Sequence, residues 1–203
     1  MPLEVAWTRR AMKLPEEVRS EIASRLETLH KYFPEMVPSM HVGLTRMYDG
    51  LAFQSDKGYV KLMLGVHKTR KGDWKYPTYW TIAHELMHLA QFNSNGIPSG
   101  ERATDVYALS RLPPELIDES PSYLVISKRL RKAWGPDFAK LAHELALEAL
   151  NRRADGLRTY ASWWEEEFEK RAERLLKDRA EHRPPPSAPG KCATCHKDFS
   201  RRN

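Results

Sequence analysis

His84 and His88 stand four residues apart, with Glu85 directly after the first. On an α-helix this spacing puts both imidazoles on one face, one turn apart. Two ring nitrogens can then reach a single Zn²⁺ at about 2.0–2.1 Å. Glu85 is placed to take a proton from a water activated by the ion and to deliver it later to a leaving amine. Ile82, Ala83, Leu86, Met87, Leu89 and Ala90 surround the motif. The His-Glu-His face is therefore expected to be the polar stripe of an otherwise core-bound helix. His143 and Glu144 begin the same pattern, but Leu147 stands where a second histidine is required, so this second run is given no metal role.

A catalytic zinc takes three protein ligands and leaves one position open. Glu101 follows His88 by thirteen residues, behind a segment carrying Gly96, Pro98 and Gly100. It is expected to open the next helix, with Asp105 one turn further on the same face. The structural alternative for these two is a carboxylate favoured at a helix start by the macrodipole, followed by a surface acid. Asp105 is the substitute third ligand should Glu101 not serve.

Glu101 and Asp105 frame an E-x-x-x-D segment, and here the chain resembles the gluzincin branch of metallopeptidases. In that branch the HExxH helix is followed by a helix bearing a glutamate ligand, and an aspartate four residues on orients a ligand histidine. The resemblance implies His84, His88 and Glu101 as zinc ligands, Asp105 as the support of a histidine, and Glu85 as general base of a peptidase. The continuation through Val106, Tyr107 and Ala108 to Leu112 and Pro113 looks like the ImmA/IrrE-type pattern, roughly E-x-x-A-N-x-F-A followed by L-x-P. Thr104 and Asp105 stand where that pattern has Ala and Asn. Besides the metal, a donor must stabilise the oxyanion of the attacked carbonyl. Tyr107, Tyr123 and His67 are the candidates. By analogy with the family, a peptide substrate is expected to lie extended along one of the strands that precede the active helix.

The elements that must hold these groups are legible as an ordered set. Pro15 to Tyr32 reads as an amphipathic helix, with Val18, Ile22, Leu26 and Leu29 at helical spacing. Met40 to Met47 reads as a strand, Tyr48 to Gly50 as a turn, and Leu51 to Gln54 as a second short strand. Tyr59 to Val66 alternates as a third strand. His67 to Trp74 reads as a basic, polar loop. Helices follow over Pro77 to Phe92 and Glu101 to Leu112, with at least one more between Leu116 and Trp134. A long helical stretch runs from Asp137 to His182, where Gly156 offers a bend. The expected class is α+β: a small, mostly antiparallel sheet packed on helices, zincin-like, with a long C-terminal helical region. The expected division is a catalytic domain over 1–135, a helical extension over 136–182, and a proline-rich linker with a basic tail over 183–203.

The 203 residues, 41% hydrophobic and 30% charged, suffice for one core and not for two full-sized domains. No apolar run reaches the length of a membrane span, and Met1 to Met12 has no apolar signal region, so a cytoplasmic protein without membrane contact is expected. The only cysteines, Cys192 and Cys195, rule out a disulfide framework for the body. With His196 they form half of a second zinc site, a reading set against an unligated tail and against haem attachment, whose chemistry belongs outside the cytoplasm. Residues 1–169 carry 23 charges of each sign, whereas residues 170–203 carry ten Lys/Arg against four Asp/Glu. The basic tail is a solubilising end or a contact for nucleic acid. The expected partner of the body is a peptide or protein substrate. The alternatives are a nucleic-acid-associated zinc-binding module, as when a tail brings an SprT-like protease to DNA, or a zincin that binds metal without cleaving.

Overall fold

A computed structural model describes residues 3–36, 39–54 and 59–181. The proline-rich linker and the segment holding Cys192, Cys195 and His196 lie outside the described residues. The fold is α+β. Its order is β1 (Glu4–Trp7), α1 (Glu16–His30), β2 (Ser39–Thr45), β3 (Gly50–Gln54), β4 (Val60–Gly65), β5 (His67–Lys68), β6 (Trp74–Lys75), α2 (Tyr79–Asn93), α3 (Glu101–Arg111), α4 (Lys128–Lys132), α5 (Pro136–Ala154) and α6 (Tyr160–Glu181).

The main sheet has the order β1-β2-β4-β3. The mostly antiparallel sheet expected from sequence is instead mixed. β3 and β4 pair antiparallel, but β1 pairs parallel to β2 and β2 parallel to β4. The cause lies in the connections. α1 is a crossover between β1 and β2, and such a helix returns the chain in the same direction. β3 then takes the outer edge, and β4 turns back into the gap between it and β2. β1 is an element that the sequence reading omits. The basic segment after β4, read as a loop, closes as a two-residue ladder between β5 and β6. Gly72, at φ +91°, makes its tip, a left-handed position that favours glycine.

α1 buries Val18, Ile22, Leu26 and Leu29 completely, as their spacing requires. Val42, Leu62 and Leu64 present the matching face of the sheet. α2 is buried around most of its circumference. Its first turn is satisfied twice. Thr78 accepts from Thr81 N, and the Asp118 carboxylate accepts from the backbone N–H groups of Tyr79 and Trp80 at 3.1 and 3.0 Å.

The C-terminal stretch is two helices that fold back on each other. Gly156, at φ +103°, stands in the turn between α5 and α6. The Trp164 indole donates to Ala142 O at 3.2 Å and stacks on Phe168 at 4.8 Å. Leu145, Trp164 and Phe168 belong to the same apolar cluster as Leu86 and Val106, so the core runs without a break from α1 to α6.

Candidate metal centre

α2 delivers His84, Glu85 and His88 from one face. The segment after it turns back so that α3 begins opposite that face. Two features hold the turn. Gln91 donates from its amide to Pro98 O at 2.7 Å and to Thr104 Oγ1 at 2.9 Å. Gly100, at φ +105°, lets the chain enter α3 directly. Glu101, the first residue of α3, then comes back onto both imidazoles.

The three potential donors form a nearly equilateral triangle. His84 Nε2 lies 3.0 Å from Glu101 Oε2, His88 Nε2 lies 3.1 Å from the same oxygen, and the two Nε2 atoms are 3.2 Å apart. Tetrahedral coordination at about 2.0–2.1 Å places donors about 3.3 Å from one another. The triangle is therefore the size that one small ion needs, and His84, His88 and Glu101 can together hold a metal ion. A fourth direction is left for water or substrate.

The tautomers agree with this. The Asp105 carboxylate can only accept, so His84 Nδ1 donates to Asp105 Oδ1 at 2.8 Å and Nε2 keeps its lone pair for the triangle. His88 Nδ1 faces Gln91 Oε1 at 3.1 Å. The Gln91 amide nitrogen is already committed to Pro98 and Thr104, which fixes its oxygen toward His88 as an acceptor. His88 Nε2 is thereby also a lone-pair donor. Three lone pairs converging without a cation repel one another, and a bound cation removes that repulsion. Burial opposes a charge on His84, but the hydrogen bond and charge of Asp105 outweigh it and raise its pKa.

Asp105 is fully buried. Besides His84, it accepts from Tyr123 N at 2.8 Å and from Leu124 N at 3.1 Å, both on Oδ2. It therefore ties His84 to the loop before α4, and the Tyr123 ring stacks on the His84 ring at 5.2 Å. The same loop reaches α6, where the Glu165 carboxylate accepts from Val125 N at 2.8 Å and from Arg102 Nε at 3.0 Å. α6 thus clamps the residue next to Glu101. Asp105→Asn is expected to keep the two backbone bonds on its amide oxygen and turn its NH₂ toward His84 Nδ1. That forces the hydrogen to Nε2, so metal affinity should fall by about 10–100-fold, read by competition with a chelator. Unchanged affinity would leave Asp105 as a loop tether alone.

Glu85 is 8% exposed. Its carboxylate accepts from the backbone N–H of Ala52 in β3, and burial pushes its pKa up to about 7, offset in part by His84. Gly50 makes room for it. A Cβ at Gly50 would lie 2.5 Å from Glu85 Cγ and 2.8 Å from Oε1. Gln54, at the other end of β3, donates to Asn93 Oδ1 at 2.9 Å, so the edge strand lies alongside α2 from Glu85 to Asn93.

His84 and Glu85 open into a cleft of about 960 Å³, walled by the β2–β3 turn, the β5–β6 hairpin, the first turn of α2 and Tyr123. Of the three oxyanion candidates, Tyr123 and His67 line this cleft. Tyr107 points elsewhere, beneath the Arg153 guanidinium at 5.8 Å. His143 donates to Leu109 O at 2.9 Å and serves the helix packing. Sequence reasoning missed Gly50, Ala52, Gln91 and Glu165. Gln91 had a usable signal, lying three residues after His88 on the same helix. Among the described residues no helix is long and apolar enough to cross a membrane. No family model, curated protein or solved structure matches this chain, so its functional reading rests on the arrangement of these side chains.

Proposed function

We propose that the protein is a zinc-dependent peptidase that hydrolyses peptide bonds at this centre. The observation that carries the reading is the convergence of His84, His88 and Glu101 at 3.0–3.2 Å beside a buried carboxyl, Glu85, that opens into the same cleft. Two nitrogens and one carboxylate oxygen are a donor set that suits zinc. The bound ion supplies Lewis acidity, which acidifies water and polarises a carbonyl.

The chain's own groups do the rest. Glu85 accepts the proton of the attacking water and returns it to the amine as the peptide bond breaks. Ala52 N–H orients the Glu85 carboxylate, and Gly50 leaves it the space to turn. Asp105 keeps His84 in the tautomer that ligates. The free edge of β3 offers backbone groups to an extended peptide. Tyr123 and His67 are the side chains placed to hydrogen-bond an oxyanion.

Zinc analysis of the purified protein beside a peptide-library digest tests the reading. About one zinc per chain, cleavage stopped by a chelator and cleavage restored by zinc are expected. Stoichiometric zinc with no cleavage of any peptide would leave a metal-binding protein that is not a peptidase. Gly50→Ala is expected to keep the zinc and lower kcat about 100-fold by displacing Glu85, with KM little changed. An unaltered kcat would show that β3 shifts to absorb the methyl group.

A further inference from the structure

The charges of residues 1–169 cancel, but they are segregated. Residues 44–76, which supply β3, β4, the β5–β6 hairpin and their turns, hold seven Lys/Arg and three Asp/Glu. The rest of that body carries the compensating negative excess. On the helical side several cations are engaged: Arg25 with Glu21, Arg102 with Glu165, Arg111 with Glu35 and Arg129 with Glu173. Among the described residues of 44–76, no lysine or arginine makes an ion pair.

Four of these cations lie in the wall of the cleft or at the tip of the hairpin that forms part of it. Arg46 and Lys68 are part of its lining. The Lys68 ammonium is held 5.1 Å over the ring of Trp74, which lines the cleft as well. Arg70 and Lys71 stand exposed at the hairpin tip. Thr69 N donating to Asp73 O at 2.8 Å and Gly72 N to Thr69 O at 3.0 Å keep that tip closed. The lining also holds three acids, Asp49, Glu85 and Glu119, whereas the hairpin carries Lys68, Arg70, Lys71 and Lys75 against Asp73 alone. The Glu119 carboxylate accepts from the Thr78 hydroxyl at 3.0 Å, and the Glu85 carboxylate accepts from Ala52 N–H.

The geometry points to an acidic polypeptide as the substrate class: its backbone lies along the free edge of β3, and its Asp or Glu side chains meet Arg46 on the β2–β3 turn and Lys68, Arg70 and Lys71 on the hairpin lip. A polypeptide fits better than a nucleic acid for two reasons. The edge strand β3 borders the cleft at Gly50, and an unpaired strand edge complements a peptide backbone. The cleft also keeps Asp49 and Glu119, which repel a continuous run of phosphates more than spaced carboxylates. Electrostatic selection of this kind acts through unscreened surface charge and is lost in salt.

The inference rests on the peptidase reading of the site, and the test separates the two. Zinc-loaded Glu85→Gln protein is titrated with labelled acidic, neutral and basic peptides of equal length and with a single-stranded oligonucleotide, using fluorescence anisotropy. The acidic peptide is expected to bind about tenfold tighter than the neutral one at low salt, from several exposed pairs of modest strength. The preference should vanish in about 1 M salt and in the Lys68→Ala, Arg70→Ala, Lys71→Ala triple variant. These three side chains are exposed, and circular dichroism confirms that the variant is folded. Equal binding of acidic and neutral peptides overturns the inference, as does a preference that survives the triple substitution. Tighter binding of the oligonucleotide through the same three cations overturns it in favour of a nucleic-acid partner. Cleavage by the wild type is followed in parallel. Equal cleavage of all peptides overturns the acidic preference and keeps the peptidase. Selective binding of the acidic peptide with no cleavage keeps the lip and removes the peptidase.

Discussion

Glu101→Ala is expected to yield purified protein with almost no zinc, as is His84→Ala. Each removes one corner of a triangle whose sides are 3.0–3.2 Å. Two remaining donors cannot complete a catalytic site, so the loss should exceed the roughly 10–100-fold that an outer partner such as Asp105 contributes. The Glu101 variant is the more telling of the two. Its side chain is 47% exposed, so truncation opens no cavity in the core. The structural cost is a favourable charge at the start of α3, about 0.3–1 kcal/mol. Zinc content should therefore collapse while circular dichroism and thermal unfolding of the metal-free protein stay nearly constant. Metal analysis after dialysis reads the result. Zinc retained by Glu101→Ala but lost by Asp105→Ala would move the third ligand to Asp105 and require the turn over 94–100 to rearrange.

Glu85→Gln should do the reverse, keeping one zinc per chain while cleavage falls by about 10²–10⁴-fold, the usual range for a positioned general base. Full activity in this variant would remove Glu85 from the mechanism. The substitution also has a signature without metal or substrate. Burial raises the Glu85 pKa from 4.5 to about 7, so the native state binds this proton more tightly than the unfolded chain. Stability from Glu85 is then fully present below about pH 4.5 and is lost as pH rises through about 7. At about 1.4 kcal/mol per pH unit the window amounts to roughly 3 kcal/mol. Glutamine does not titrate. Metal-free Glu85→Gln should gain on the wild type in urea denaturation between about pH 5 and about pH 8. A constant difference across that range would mean that the carboxyl is not desolvated against β3.

The chemistry-bearing residues were legible because most of their geometry is local. His84, Glu85 and His88 need only one turn of helix to share a face, and Asp105 follows Glu101 by the same period. Apolar residues at i and i+4 likewise marked α1 and the buried sides of α2. What escaped was non-local. β1 is four residues long and becomes a strand only by pairing with β2, across the whole of α1. Gly50 and Ala52 act on Glu85 from more than thirty residues away, and the sequence marked Gly50 only as part of a turn. Glu165 reaches Arg102 and the loop carrying Tyr123 from the far end of the chain.

Sequence alone determined that two imidazoles and a carboxylate share a helix face, that a second carboxylate opens the next helix, and that helices flank a small sheet. Tertiary structure decided that Glu101 turns toward the two imidazoles, that β3 lies free beside α2 as an edge, that the sheet is mixed, and that α6 braces the site. The difference is physical. A helical period is set by hydrogen bonds four residues apart, which neighbouring residues encode. Strand order and the approach of α3, β3 and α6 are set by the sum of many weak contacts between distant segments, and no short stretch of the chain holds that sum.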